Sequence, residues 1–240
     1  MNLIDTDGII YRACTGCKGD FLQTIETAEG IRQYIDDHLG GVSKHFLSGK
    51  NNFRYRVAIT KPYKGNRKDR AKPRYLSALR DYVISEWDAV VANGCEADDL
   101  LGIHSGPDTV IVTNDKDLDQ IPGRHFNWVT GEDYDVSERA AEFYLMKQML
   151  TGDVADNIPG IPGMGEKKAF ALLSETEDLR SAVIDVYKQT AEKARKGELI
   201  LKKPIPDTYK DWFAKFSETE LLLRILRSES ELKLLLKTSS

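Results

Sequence analysis

Short apolar runs punctuate the first half of the chain, and a helical period takes over in the second. Leu3–Ile4 passes at once into Asp5, Thr6, Asp7 and Gly8, which reads as a short buried strand ending in two acids and a turn glycine. From Thr27 to Phe46 the residues Ile31, Tyr34, Ile35, His38, Leu39, Val42 and Phe46 fall on one helical face, with Gly40–Gly41 as a possible break. Phe53 to Thr60 alternates as a strand does, and Pro73 to Trp87 predicts a helix with its proline tolerated in the first turn. Ala89–Ala92, Thr109–Thr113 and Phe126–Thr130 predict three further strands, and Gly131–Glu132–Asp133 a turn. Ser137 is a good cap for a helix over Glu138–Leu150. Helices follow over Glu166–Ser174 and Asp178–Lys196, then a linker at Lys203–Pro206, then one or two helices from Trp212 to Leu236.

Strands alternating with helices, followed by helices alone, predict an α/β core with a mostly parallel central sheet flanked by helices, and a helical subdomain after it. The boundary is placed at 136/137, giving a core over 1–136 and a helical part over 137–240. No apolar run reaches the eighteen residues of a membrane span, and no basic-then-apolar leader opens the chain. Three cysteines, an odd number, favour a reducing compartment such as the cytoplasm. Cys14–Thr15–Gly16–Cys17 has the spacing of half a zinc site, but there is no second such pair and the four histidines are scattered, so packing is the better reading.

Charge distribution changes the picture more than the net value of −4. Glu96, Asp98 and Asp99 crowd three carboxylates into four residues directly after the Ala89–Ala92 run. Helix capping is the plain explanation for one or two acids there, worth about 0.3–1 kcal/mol each. It does not explain three, whose repulsion a hard divalent cation would remove. Asp5/Asp7 and Asp115/Asp117 also stand at predicted strand ends, and Asp153/Asp156 lie in a loop after a helix. In a parallel sheet the strand ends share one edge, where ligand sites form. Oxygen-only donors point to Mg²⁺ or Mn²⁺ rather than zinc, and so many carboxylates suggest two ions and phosphoryl chemistry.

Lys61 to Arg74 supplies the opposite sign, with seven Lys or Arg against Asp69 alone. Its Tyr63, Lys64, Arg67, Lys68 and Arg70 suit a phosphate backbone and stacking on an unpaired base, although a solvated basic loop explains the composition equally well. Gly160–Ile161–Pro162–Gly163–Met164–Gly165–Glu166–Lys167–Lys168 is not a nucleotide P-loop, because Glu166 stands where a lysine must follow the last glycine. It reads as a turn opening a helix, in which Gly160, Gly163 and Gly165 expose backbone N–H groups and Lys167 and Lys168 add charge for a phosphate.

Taken together, these motifs resemble the 5′-nuclease family of phage 5′→3′ exonucleases, flap endonucleases and the 5′-nuclease domain of bacterial DNA polymerase I. The resemblance runs from Leu3 to about Leu173. Leu3–Ile4–Asp5–Thr6–Asp7–Gly8 resembles its first motif, with Asp5 at a metal-ligand position, and Tyr63–Lys64–Gly65–Asn66–Arg67 resembles the base of its helical arch (about 61–87), where Lys64 and Arg67 would be catalytic. Glu96–Ala97–Asp98–Asp99 and Asp115–Lys116–Asp117 are similar to its central acidic motifs. Gly152–Asp153–Val154–Ala155–Asp156–Asn157–Ile158–Pro159–Gly160 leads into its helix–three-turn–helix, about 138–174 here. The compact form, Asp7, and the run from Asp117 to Trp128 look most like the phage-encoded members.

The resemblance implies hydrolysis of DNA, or of an RNA·DNA hybrid, at a 5′ end, flap or single-strand/duplex junction, in phage replication or recombination. Asp5, Glu96, Asp98, Asp99, Asp115 and Asp117 would hold one Mg²⁺ directly or through water, with Asp7 a further metal residue. Asp153 and Asp156, together with the central acids, would hold the second, Mn²⁺ being a substitute and K⁺ a candidate at the helix–three-turn–helix. A monomer in the host cytoplasm is implied, with no membrane partner and no recognisable clamp-binding tail. One departure stands out: Phe46–Leu47–Ser48–Gly49–Lys50 carries no carboxylate where the family has an aspartate on a strand end. Either Asp7 compensates or the first ion has one ligand fewer. A non-catalytic structure-specific DNA-binding protein and a single-strand ribonuclease are the rival readings.

Overall fold

The computed structural model describes residues 1–16, 19–67, 71–199 and 206–237. The chain forms two compact units, one comprising Met1–Phe53, Arg70–Glu138 and Ile225–Ser240, the other Arg54–Asp69 and Arg139–Arg224. The division near the middle of the chain falls at 138/139, beside the expected 136/137. The start of the basic segment belongs with the helical unit, and the chain's last residues with the sheet.

In the first unit β1 (Asn2–Asp5) runs directly into α1 (Thr6–Gly16), so Gly8 lies within a helix and is not the turn expected of it. Its lack of a side chain serves close approach: a Cβ there would sit 2.8 Å from Asn114 Oδ1. Asp20 caps α2 (Phe21–Leu39), and Gly40 and Gly41, at φ 61° and 76°, end it. Val42 and Phe46 thus leave the helical face predicted for them, and Ser43–Leu47 becomes strand β2. In the second unit, Arg54–Val57 is a helical turn, α3, where alternation predicted a strand. Burial of Arg54 overrides the local pattern, since its guanidinium donates to Leu222 O and Arg224 O, each at 2.9 Å.

Helix α4 (Leu76–Glu86), strand β3 (Val90–Val91), helix α5 (Ala97–His104) and strand β4 (Val110–Val112) follow where expected. The next strand, β5 (Gly123–Asn127), is shifted earlier, and the residues read as a turn open β6 (Glu132–Val136), which folds back antiparallel on β5. The sheet order is β3-β2-β1-β4-β5-β6, parallel except for β6. Alternation sorts the strand residues between two faces. Ile4, Leu47, Val110, Val112 and Phe126 pack with α1, α2 and α4, whereas Leu3, Phe46 and Ile111 pack with Ala97 and Leu101 of α5. Both faces being covered explains strands that read as unbroken apolar runs.

The second unit holds α6 (Glu138–Thr151), whose first residue still counts with the sheet, then the two-residue strands β7 (Gly152–Asp153) and β8 (Ile158–Pro159). Helices α7 (Glu166–Ser174), α8 (Leu179–Arg195) and α9 (Trp212–Leu223) complete it. Its core joins Met146, Met149, Leu150, Leu173, Val183, Tyr187 and Phe216. The final helix, α10 (Glu229–Lys237), returns to the first unit, where Leu236 lies over Gly94. Of the expected linker, Lys203–Ile205 lies outside the described residues.

Gly152, at φ +72°, meets Gly160 so closely that a Cβ on Gly152 would lie 2.3 Å from both Gly160 N and Ile158 O. Gly152→Ala should therefore lower the unfolding free energy by about 2 kcal/mol or more. A urea midpoint unchanged from wild type would contradict the close approach.

Candidate active site

Order β3-β2-β1-β4-β5 reverses direction between β1 and β4, so the crevice of this sheet opens beyond their carboxyl ends. Asp5 is the last residue of β1 and is buried there. Thr113, just past β4, donates its hydroxyl to Asp5 Oδ2 at 3.0 Å and accepts from the backbone N–H of Asp115 at 3.0 Å. Burial, and then the charges of Asp7 and Asp115, push the Asp5 carboxyl up to about 7. Asp7, in the first turn of α1, accepts the Ser48 N–H at 2.7 Å and pairs with Arg80 at 3.2 Å. Ser48 Oγ in turn accepts the N–H of Ala97, the first residue of α5, at 3.1 Å. Ser48, through its backbone N–H and its hydroxyl, and Thr113, through its hydroxyl, thus link the three acidic segments.

Asp7 consequently reaches the end of β2, the strand end that lacks an acid of its own. Sequence reasoning missed Ser48, Thr113 and Arg80: Thr113 closes a run that reads as a strand, whereas the segment before Ser48 reads as helical and only the structure makes it β2.

At the start of α5 the acids divide their work. Glu96 is the N-cap and forms a capping box with Asp99. Asp99 is fully buried, one oxygen accepting Glu96 N–H at 3.0 Å and the other Leu226 N–H at 3.1 Å. Both oxygens are held by backbone, so the geometry gives Asp99 a structural task in place of the metal-ligand one expected. Asp98 is half-buried in the first turn. Asp115 is exposed and caps a short 3₁₀ turn through Asp117 N–H at 3.0 Å, while Asp117 is half-buried.

Among the described residues no three His, Cys, Asp or Glu side chains stand arranged to hold a metal ion. The donors still fit a hard divalent cation in kind, being carboxylate oxygens, and in charge, because burial and repulsion disfavour the Asp5 anion and a cation would offset both.

In the second unit the basic segment is laced to the loop after β7. Lys64 adopts φ 52°, and its N–H donates to Asp156 O at 2.8 Å. Asn66 Nδ2 donates to Val154 O at 2.8 Å, Arg67 Nε to Ala155 O at 3.1 Å, and Asn157 Nδ2 to Pro62 O at 2.8 Å. The Asp156 carboxylate sits amid the Tyr63 hydroxyl at 2.8 Å, Lys64 Nζ at 3.6 Å and the Arg67 guanidinium. Asp153 Oδ1 accepts Ala155 N–H at 2.7 Å, and its carboxyl is raised by burial and by Asp156. Tyr63 is buried in the core of this unit against Tyr55, with its hydroxyl on Asp156 and Lys64 Nζ 5.0 Å from its ring centre, so its ring is closed to base stacking. Lys68 and Arg70 lie outside the described residues.

Of the three glycines expected to face phosphate, Gly160 is pinched against Thr151, whereas Gly163 and Gly165 border open space. Gly165 is the N-cap of α7, Lys167 is exposed, and Lys168 Nζ folds back onto Gly163 O at 3.1 Å.

Folding raises the Asp5 pKa, so its ionised form opposes folding. That penalty is absent below the unfolded value near 3.8, grows as pH climbs, and is complete above about 7. Asp5→Asn should therefore raise the Tm in EDTA at pH 8, with the gain shrinking towards zero at pH 4. Equal melting of both proteins at pH 8 would show that Asp5 carries no such burden.

No protein-family model matches the chain. It is 38% identical over 96 residues to DNA polymerase I of Pseudomonas aeruginosa, a match covering 34% of this chain and 10% of that protein. It is 32% identical over 133 residues to the exodeoxyribonuclease of Enterobacteria phage T3, covering 50% of this chain and 43% of that one. The chain thus spans about a tenth to a fifth of the length of the polymerases it matches and less than half of the phage enzyme. A bacteriophage T5 flap endonuclease, solved with DNA and metal ions, superposes with a TM-score of 0.64 at 17% identity, over 99% of this chain and 96% of that one. The resemblance drawn from the motifs is matched in sequence and in architecture, and the chain has the 5′-nuclease fold.

Proposed function

We propose that this protein is a divalent-metal-dependent 5′ nuclease that hydrolyses phosphodiester bonds of DNA at a 5′ end, flap or single-strand/duplex junction, as 5′→3′ exonuclease, flap endonuclease or both. The observation that carries the reading is Asp5, a buried carboxylate facing Asp7 and Asp115 at the sheet's switch point. Folding keeps such a cluster at a cost in stability, which a cation-dependent reaction explains and a structural role does not. The names of the exonuclease relatives, and the DNA and metal ions of the T5 neighbour, support the same chemistry.

In this proposal Asp5, Asp7, Glu96, Asp98, Asp115 and Asp117 hold one Mg²⁺, and Asp153 and Asp156 a second, with Mn²⁺ able to replace either. Bound ions of this kind supply activation of the attacking water and stabilisation of the leaving oxygen. Asp7 takes the place of the strand-end aspartate that β2 lacks, held there by Ser48 and Arg80. Lys64 and Arg67 neutralise phosphate charge, with the Tyr63 hydroxyl beside them. The segment from α6 to α7 acts as the helix–three-turn–helix. Gly163, Gly165 and the first amides of α7 receive a backbone phosphate, Lys167 adds charge, and K⁺ is the candidate ion there.

A non-catalytic DNA-binding protein is the second reading, favoured by the lack of three carboxylates already set for an ion among the described residues. Incubating 5′-labelled flap DNA with Mg²⁺, Mn²⁺ or EDTA separates the two. Cleavage dependent on either ion is expected, and intact DNA in all three would leave only the binding reading.

Asp98→Asn should abolish that cleavage while changing affinity for the same DNA in EDTA by no more than about twofold. Full activity in this variant would remove the acids from the chemistry. Asp156→Asn should act differently in EDTA. By freeing Lys64 and Arg67 from an internal anion, it should tighten DNA binding about threefold or more at low salt. Weaker binding would mean that Asp156 does not shield them.

A further inference from the structure

The second unit buries a full ion pair that none of the expected chemistry uses. Lys215 and Glu218, one turn apart on α9, are both almost wholly inaccessible, with their charged groups 3.1 Å apart. Glu218 Oε1 accepts two consecutive backbone N–H groups, Ile59 at 2.7 Å and Thr60. Its Oε2 accepts the Thr60 hydroxyl and the Lys215 ammonium. Lys215 Nζ lies 3.3 Å from Thr60 Oγ1 and 5.4 Å from the centre of the Tyr209 ring. The Tyr209 hydroxyl donates to Gly160 O at 2.9 Å. Four residues beyond Thr60 stands Lys64, with Pro62 of restricted φ between them.

Stability alone does not account for this arrangement. An apolar pair of similar volume commonly holds a helix at least as well as a buried ion pair, whose desolvation cost its attraction only partly offsets. Burial pulls Lys215 below its usual range against the pull of Glu218. Burial also opposes ionisation of Glu218, but the bonds from Thr60 and Lys215 outweigh it and hold this carboxyl below its ordinary value. What a buried carboxylate can do, and a leucine cannot, is grip two successive amides of an irregular segment. The segment it grips enters the basic loop, whose far side is fixed by Pro62 O, Lys64 N–H and Arg67 on the loop after β7.

We infer that Glu218, with Lys215 behind it, is a positioning residue for the proposed cleavage, anchoring the entry to the basic loop so that Lys64 is presented to phosphate in one place. This rests on the nuclease reading for its catalytic consequence, but the anchor itself can be measured without activity.

Two measurements test it on the full chain. In single-turnover cleavage of a 5′-flap DNA, Glu218→Gln should lower the rate about 10- to 100-fold, as expected for a small misplacement of a group acting on the phosphate. In a Lys64→Ala background the same change should cost no more than about twofold, because the two residues act in series. Thr60→Ser, which keeps the hydroxyl, should cleave as wild type, and Thr60→Val should lose rate. In amide hydrogen exchange, Glu218→Gln should speed exchange at Ile59 and Thr60 while leaving α8 as protected as in wild type. A wild-type rate in folded Glu218→Gln, losses that multiply with Lys64→Ala, or unchanged exchange at Ile59 and Thr60 would each overturn the inference. If Glu218→Gln does not fold, Thr60→Val replaces it under the same criteria. Should the wild-type protein fail to cleave, the nuclease reading falls, and the exchange measurement still decides the anchor.

Discussion

Like charges brought together against their own repulsion govern the first unit. Asp5 ends a strand inside the sheet, where burial already disfavours its anion, and Asp7 and Asp115 add to that penalty. Position, not composition, creates the problem. Parallel strands with helices on both faces leave one edge at which the strand ends and the first helical turns meet, and the reversal between β1 and β4 opens a crevice there. The local answer is hydrogen bonding from small neighbours. Thr113 supports Asp5, while Ser48 and Arg80 support Asp7.

The second unit handles charge in the opposite way. Its cations are not left to repel one another, because Asp156 draws Tyr63, Lys64 and Arg67 together and backbone bonds close the basic loop against the loop after β7. Lys64 is held in a left-handed backbone conformation, which an L-residue adopts at a cost and which neighbouring contacts must maintain. Buried beneath lies the Lys215–Glu218 pair, itself expensive to desolvate and spent on two backbone amides. Strain and buried charge together mark this loop as a place where geometry outranks stability.

Closely spaced acids need not share a task, as α5 demonstrates. Glu96, Asp98 and Asp99 look equivalent along the chain, yet a helix turns successive side chains about 100° apart. Asp99 is thereby rotated inward, where Glu96 N–H and the distant Leu226 N–H claim its oxygens. Capping therefore accounts for Glu96 and Asp99 of one short motif, and Asp98 is the acid it leaves to the proposed chemistry.

Much of this was legible in the sequence, because local pattern carries it. Apolar runs of strand length fixed β1, β3 and β4, the helical period with good caps fixed α6, α7 and α8, and the position of acids just beyond strands marked the crevice. What failed locally failed where distant partners intervene. Residues 53–60 alternate like a strand, but burial of Arg54 on the carbonyls of Leu222 and Arg224 makes part of them helical. The glycine pair at 40–41 allowed either a bent helix or a break, and pairing of Ser43–Leu47 with β1 decided for a strand. Likewise Asp7 reaching Ser48, Asp99 turning to Leu226, and Glu218 gripping Thr60 join residues from 41 to 158 positions apart. Sequence by itself determined which residue types stand at the strand ends and which segments after Ser137 are helical, since both follow from short-range periodicity, but it did not find α1 or α3. Which oxygen meets which amide was left to the tertiary structure, because hydrogen bonds over such separations exist only once the sheet and helices have brought their ends together.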